Sequence, residues 1–134
     1  MSWGFLVDLD ITVPTQAWKV LKAMRPRDVS LARGWSGLVE ESLEEAFGRP
    51  YTGDDTFAKV LKWKWGPESI VLHEPVGDRT RIRVCVVLEK SQLDHAFPLA
   101  ALLEAARTVG GAGSLRFVND GTSGAEDGSE LTLA

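Results

Sequence analysis

From Trp3 to Val13 every odd position is apolar: Trp3, Phe5, Val7, Leu9, Ile11 and Val13. Gly4, Asp8, Asp10 and Thr12 fall between them. Side chains on an extended backbone point to opposite sides in turn, so this run predicts a strand with one buried and one wetter face. Such a strand folds only as part of a sheet whose apolar side is covered by another layer. The rest of the chain supplies both requirements.

Pro14-Thr15 ends the strand and opens a predicted helix over 16–24, with Ala17, Val20, Leu21 and Met24 on one side and Pro26 closing it. Gly34 and Gly37 bracket Trp35 in a predicted loop. A second helix over 38–47 turns Val39, Leu43, Ala46 and Phe47 inward and Glu40, Glu41, Glu44 and Glu45 outward. Gly48, Pro50 and Gly53 then mark a turn region. Residues 56–65 fit two patterns. Phe57, Leu61, Trp63 and Trp65 suit a strand, while Phe57, Val60, Leu61 and Lys64 suit a helix started by Asp54 or Asp55. The reading adopted is a short helix that passes into a strand at Lys62.

Two strands follow, 70–74 and 79–89, joined by Pro75-Val76-Gly77-Asp78 as a hairpin. In the second, Ile82, Val84, Val86 and Leu88 share one face, and Arg81, Arg83 and Cys85 the other. The last third reads as helix, glycine break, strand, acidic loop and strand. Its helix places Leu99, Leu102, Leu103, Ala106 and Val109 together, and Gly110-Gly111 stops it. A strand over 114–118 leads to a loop over 119–129 that holds Asp120, Glu126 and Asp127. Residues Leu131, Thr132 and Leu133 offer a final edge strand.

The expected fold is α+β, one domain over residues 1–134, a largely antiparallel sheet with about three helices packed on one face. Its other face collects Asp8, Asp10, Arg81, Arg83, Arg116 and Glu130. The signs alternate, so cross-strand pairs neutralise one another, each contributing roughly 0.2–1 kcal/mol.

Composition narrows the function. A chain of 134 residues with 44% hydrophobic and 25% charged residues is that of one ordinary globular domain, not a disordered segment. A net charge of −4 argues against nucleic acid and against an anionic membrane surface as partners, and suits a basic protein partner. The single cysteine, Cys85, allows no internal disulfide. Residues 1–10 lack the basic region of a signal peptide, and no run approaches the ~20 apolar residues of a membrane helix. The expected compartment is the cytoplasm.

Chemistry has little to stand on. His73 and His95 are the only histidines and share no ligand spacing, a poor start for a zinc site. Gly34-Trp35-Ser36-Gly37-Leu38 and Gly121-Thr122-Ser123-Gly124-Ala125 each lack the fifth-position glycine of a nucleophile elbow. Gly110-Gly111-Ala112-Gly113 follows a helix instead of preceding one, so it reads as a helix cap and turn and not as a phosphate loop. Asp8 and Asp10 are the best carboxylate pair, on one side of a strand and roughly 7 Å apart from the strand rise. Cys85 reads as a small strand residue beside Arg81 and Arg83. No cofactor is expected. The five tryptophans stand out for so short a chain. Trp3 and Trp18 have core spacing, whereas loop and edge rings such as Trp35, Trp63 and Trp65 suit interface anchoring.

The run LAALLEAARTVGGAG at Leu99–Gly113, followed by SLRFVNDGTSGAEDG, resembles the closing segment of small bacterial immunity-type proteins that accompany polymorphic toxins. The resemblance covers about the last quarter of the chain and implies a stoichiometric inhibitor that binds one toxin domain and blocks it. On that reading, Glu40, Glu41, Glu44, Glu45, Asp54, Asp55, Asp120, Glu126 and Asp127 steer a basic toxin surface, and Trp35, Trp63 and Trp65 anchor it. Two other classes stay open: a small metal-dependent enzyme using the Asp8/Asp10 face, and a structural module that assembles with itself. Monomer and homodimer are both compatible with the sequence.

Overall fold

A computed structural model describes residues 4–31, 50–119 and 130–133. The loop around Trp35, the helix expected over 38–47 with its four glutamates, and Asp120, Glu126 and Asp127 lie outside those residues.

Five strands form one sheet: β1 (Gly4–Pro14), β2 (Ile70–Val76), β3 (Arg79–Glu89), β4 (Ala112–Asn119) and β5 (Glu130–Leu133). Their order is β2-β3-β1-β4-β5, and every neighbouring pair is antiparallel. The strand with the strictest alternation therefore sits at the centre. Phe5, Val7, Leu9, Ile11 and Val13 are all buried. Across β3 they meet Leu88, Val86, Val84 and Ile82, and across β4 Phe117 and Leu115. Each such side chain removed from water contributes about 1.5–3 kcal/mol before entropy is counted.

Among the described residues, three helices cover this face: α1 (Thr15–Leu21), α2 (Phe57–Val60) and α3 (Phe97–Thr108). The fold is α+β. On α3 burial is wider than one stripe, since Ala100, Ala101 and Ala105 join Leu99, Leu102, Leu103 and Ala106 in the core. The cause is a second layer of neighbours: the 3-10 turn Pro26–Asp28 and α2 both pack on α3. The helix ends as expected. Gly110 takes a φ of +82°, and the Gly111 N–H donates to the Ala106 carbonyl over 2.8 Å, the six-to-one bond of a Schellman cap.

Several boundaries differ from the sequence reading. Helix α1 stops at Leu21, so Met24 lies past it, and Val20 points to solvent. Its inward residues are Trp18, packed edge-on against His73 of β2, and Leu21. The hairpin turn contracts from four residues to Gly77-Asp78, with φ +64° at Gly77 as a two-residue turn requires at its first central position. Pro75 and Val76 belong to β2, where an edge strand tolerates a proline. Strand β4 begins at Ala112, two residues early, and brings Gly113 opposite Ile11.

The strand expected from Lys62 does not form. Helix α2 is capped by Thr56, whose hydroxyl accepts from the Lys59 N–H, and not by Asp54 or Asp55. Beyond it the chain turns, with the Trp63 N–H donating to Val60 and the Trp65 N–H to Trp63. Lys62 and Lys64 are exposed while Trp63 and Trp65 are half-buried. The period-two burial is real, but among the described residues no strand pairs with it.

Candidate functional site

Two regions carry the charged and aromatic residues outside the core. The first is the open face of the sheet. Asp8 lies opposite Cys85 on β3 and Arg116 on β4, and Asp10 opposite Arg83. The ion pairs run along the diagonals. Arg83 donates to both oxygens of Asp8 at 3.2 and 3.1 Å. Arg81 donates to both oxygens of Asp10 at 3.1 and 2.8 Å, and also meets Glu74 at 3.6 Å. Such fork-on-carboxylate geometry fixes both partners.

Hydrogen bonding from Arg81 holds the Asp10 carboxyl below the usual aspartate range; partial burial opposes this, and the charges of Arg81 and Arg83 add to it. The two aspartates thus point their oxygens at arginines. Among the described residues no three His, Cys, Asp or Glu side chains converge as a metal site would. The Cys85 thiol is pushed up, first by burial and then by the Asp8 charge, against the opposing pull of Arg83 and Arg116. The thiolate that a nucleophile needs is disfavoured there.

The second region is a groove at the start of α3, assembled from three separate segments. The 3-10 segment Lys90–Ala96 leads into α3 and is fixed at its start by a reciprocal cap: the Glu89 N–H donates to the Gln92 side chain at 3.1 Å, and the Glu89 side chain accepts from the Gln92 N–H. This segment presents Asp94 and His95. The second segment, residues 50–56, is tied in place by the start of α2, whose Phe57 and Ala58 N–H groups donate to the Met24 and Lys22 carbonyls just past the end of α1. It lays the Tyr51 ring flat on Phe97, centroids 5.0 Å apart and planes 7° apart. Gly53 makes this possible, since a Cβ there would stand 2.5 Å from the Tyr51 hydroxyl and 2.6 Å from its ring.

The third segment is the turn after α2. The Trp63 indole N–H donates to Asp55 at 2.8 Å and the Trp65 indole N–H to the Val60 carbonyl at 3.0 Å. The two indoles lie 5.2 Å apart, and Trp63 meets His95 edge-on at 5.7 Å. Between these segments opens a cavity of about 530 Å³ walled by Tyr51, Trp63, His95 and Phe97 with Asp94 at its side. A smaller hollow of about 300 Å³ adjoins it across Trp63 and His95 and reaches Trp65 and Lys64.

Electrostatics mark the groove as acidic. The Tyr51 hydroxyl is raised above its ordinary value, chiefly by burial and further by the charges of Asp55 and Asp94. Asp54 forms a surface ion pair with Arg27, so its charge is partly spent at the rim. The Asp94 carboxylate has no hydrogen-bond or ion-pair partner among the described residues.

Of the residues expected to meet a partner, the structure brings Asp55, Trp63 and Trp65 together and sets Asp54 beside them. Trp35, Glu40, Glu41, Glu44, Glu45, Asp120, Glu126 and Asp127 lie outside the described residues. Tyr51, Asp94, His95 and Phe97 were not singled out by sequence as contact residues. The one available signal was a tyrosine two residues before a glycine in a turn region, which carries no information about the ring it meets. Comparisons with protein-family models, curated proteins and solved structures find no match to this chain. No helix among the described residues is long and apolar enough to cross a membrane.

Proposed function

We propose that this chain is a protein-binding module, an immunity protein that neutralises a cognate bacterial toxin in the cytoplasm by direct one-to-one binding. The observation that carries the reading is the groove at the start of α3: rigid rings held by their own hydrogen bonds, beside a carboxylate that no cation of the described residues neutralises. Pre-positioned aromatics bury a large area on binding at little entropic cost, and unspent negative charge steers a basic partner. The net charge of −4 acts in the same direction over longer range. The immunity-type resemblance of Leu99–Gly113 and its sequel supplies the class of partner.

Co-expression with the product of the adjacent gene tests this. The expected result is rescue of growth and a stable one-to-one complex on purification. Absence of both rescue and complex rejects the toxin partner. A second reading, self-association through the outer edge of β2, rests on the exposed Ile70, Val71 and Val76. Pro75 counts against it, because it has no N–H to donate to an added strand. A mass that rises with concentration in the absence of any partner would favour that reading.

A further inference from the structure

We infer that the groove at the start of α3 receives the guanidinium of an arginine side chain presented by a basic protein partner. This deepens the proposed function and rests on it for the identity of the partner, while the chemistry of the groove stands on the groove itself.

Three observations lead there. One wall is flat and fixed: Trp63 is held by its N–H to Asp55, next to the Tyr51 and Phe97 rings that stack on each other. A planar cation lies on such faces with a gain of roughly 0.5–2 kcal/mol, depending on how dry the contact is. The charge is right as well. Asp94 borders the cavity unpaired, and Asp55 uses only its Oδ2 on Trp63. Among the described residues no lysine or arginine lines the larger cavity, where Asp94 lies; Lys64 borders only the smaller hollow. Finally, the two hollows share Trp63 and His95, which gives room for a long side chain and the backbone that carries it. Lysine brings a point charge that pairs with Asp94 but leaves the ring faces unused, since only the guanidinium is a delocalised plane with a fork of donors. A neutral ligand leaves the Asp94 carboxylate unanswered.

The test uses the whole chain. N-acetyl-arginine amide, its citrulline counterpart and its lysine counterpart are titrated separately while amide and indole N–H resonances are followed by NMR. Arginine is expected to shift Gly53, the Trp63 indole, Asp94 and His95 saturably. Its dissociation constant should be about three- to tenfold lower than that of citrulline, the neutral isostere, with lysine between. Asp94→Asn should remove most of that preference and leave the remaining spectrum and the melting temperature unchanged. Trp63→Phe, which keeps a ring in place, should lower arginine affinity less. Equal binding of citrulline overturns the inference, as does an arginine preference that survives Asp94→Asn.

The same variant separates the inference from the proposed function. If Asp94→Asn leaves rescue and complex affinity untouched, a partner exists but does not use this groove for arginine, and the inference falls alone. If arginine binds as expected and the adjacent gene product does not, the groove chemistry holds and the toxin partner is wrong.

Discussion

Aspartates serve opposite ends in two parts of this molecule. On the open face of the sheet, Asp8 and Asp10 each receive a two-pronged arginine, and Asp8 keeps only 13% of its side chain exposed. Beside the groove, Asp94 stands exposed at the edge of a ring-lined cavity with no cation of the described residues on it. The sheet's charges are consumed in holding strands in register, since a slip of one residue would turn every one of them into the core. The groove's charge is held in reserve. A surface whose charges are satisfied internally gains little by meeting a partner, whereas an unpaired carboxylate beside half-buried rings gains much. This difference favours the groove over the Asp8/Asp10 face as the place where the chain meets something.

The comparison breaks first at its structural end. Gly113 sits at φ +157°, and a Cβ there would stand 2.2 Å from the Asp10 carbonyl oxygen. Gly113→Ala forces β4 away from β1 beneath the ladder, with an expected loss of about 3 kcal/mol in denaturant unfolding. Next is Arg83→Ala, which leaves the largely buried Asp8 with Arg116 alone across the strand. The expected cost is about 1–3 kcal/mol. Adding Asp8→Ala should recover part of it, because the stranded charge is then gone. Neither Arg83→Ala nor the double variant should alter arginine binding at the groove. If both do, the two regions are one coupled unit and the contrast is wrong.

Acid sharpens the contrast. A carboxyl held below its unfolded value favours the folded state above that value, about pH 3.9 for aspartate. The benefit disappears as pH falls through the depressed folded value. Asp10 is such a group, and Arg81 is the chief cause. Unfolding midpoints taken from neutral pH down into this acid range should drop for the natural chain. They should drop less steeply for Asp10→Asn, which has no proton to gain. An identical slope in both chains would show that the ladder pair contributes nothing to acid stability.

The ladder was legible in the sequence because period two is a local rule. Once Trp3–Val13 and 79–89 were read as strands, Asp8, Asp10, Arg81 and Arg83 had to share a face, and only their diagonal pairing awaited the register. The groove was not legible in the same way. Asp55, Trp63 and Trp65 drew notice by residue type, but the alternation at 63 and 65 mimicked a strand. It arises from two indoles held by hydrogen bonds to Asp55 and the Val60 carbonyl, with no strand ladder behind it among the described residues. Tyr51 and Phe97, 46 positions apart, meet only because α2 is stitched to the end of α1 and Gly53 leaves room for a ring. No local pattern encodes that meeting.

The smallest expected effect reads the reserve charge directly. Tyr51 is the only tyrosine of the chain, so the phenolate absorbance reports this one hydroxyl. Its ionisation should occur above the ordinary value of 10.0, mostly because the ring is partly buried and in lesser part because Asp55 and Asp94 repel a second negative charge. Asp94→Asn should bring the midpoint down by a fraction of the total displacement, leaving the burial contribution in place. Arg83→Ala, on the sheet, should leave it where it is. A group whose folded value is raised favours the folded state below its unfolded value, so that stability declines as alkali carries the pH up through the raised one. If Asp94→Asn leaves the midpoint unmoved in a folded chain, its carboxylate does not project onto the cavity, and the groove loses the charge that distinguishes it from the sheet.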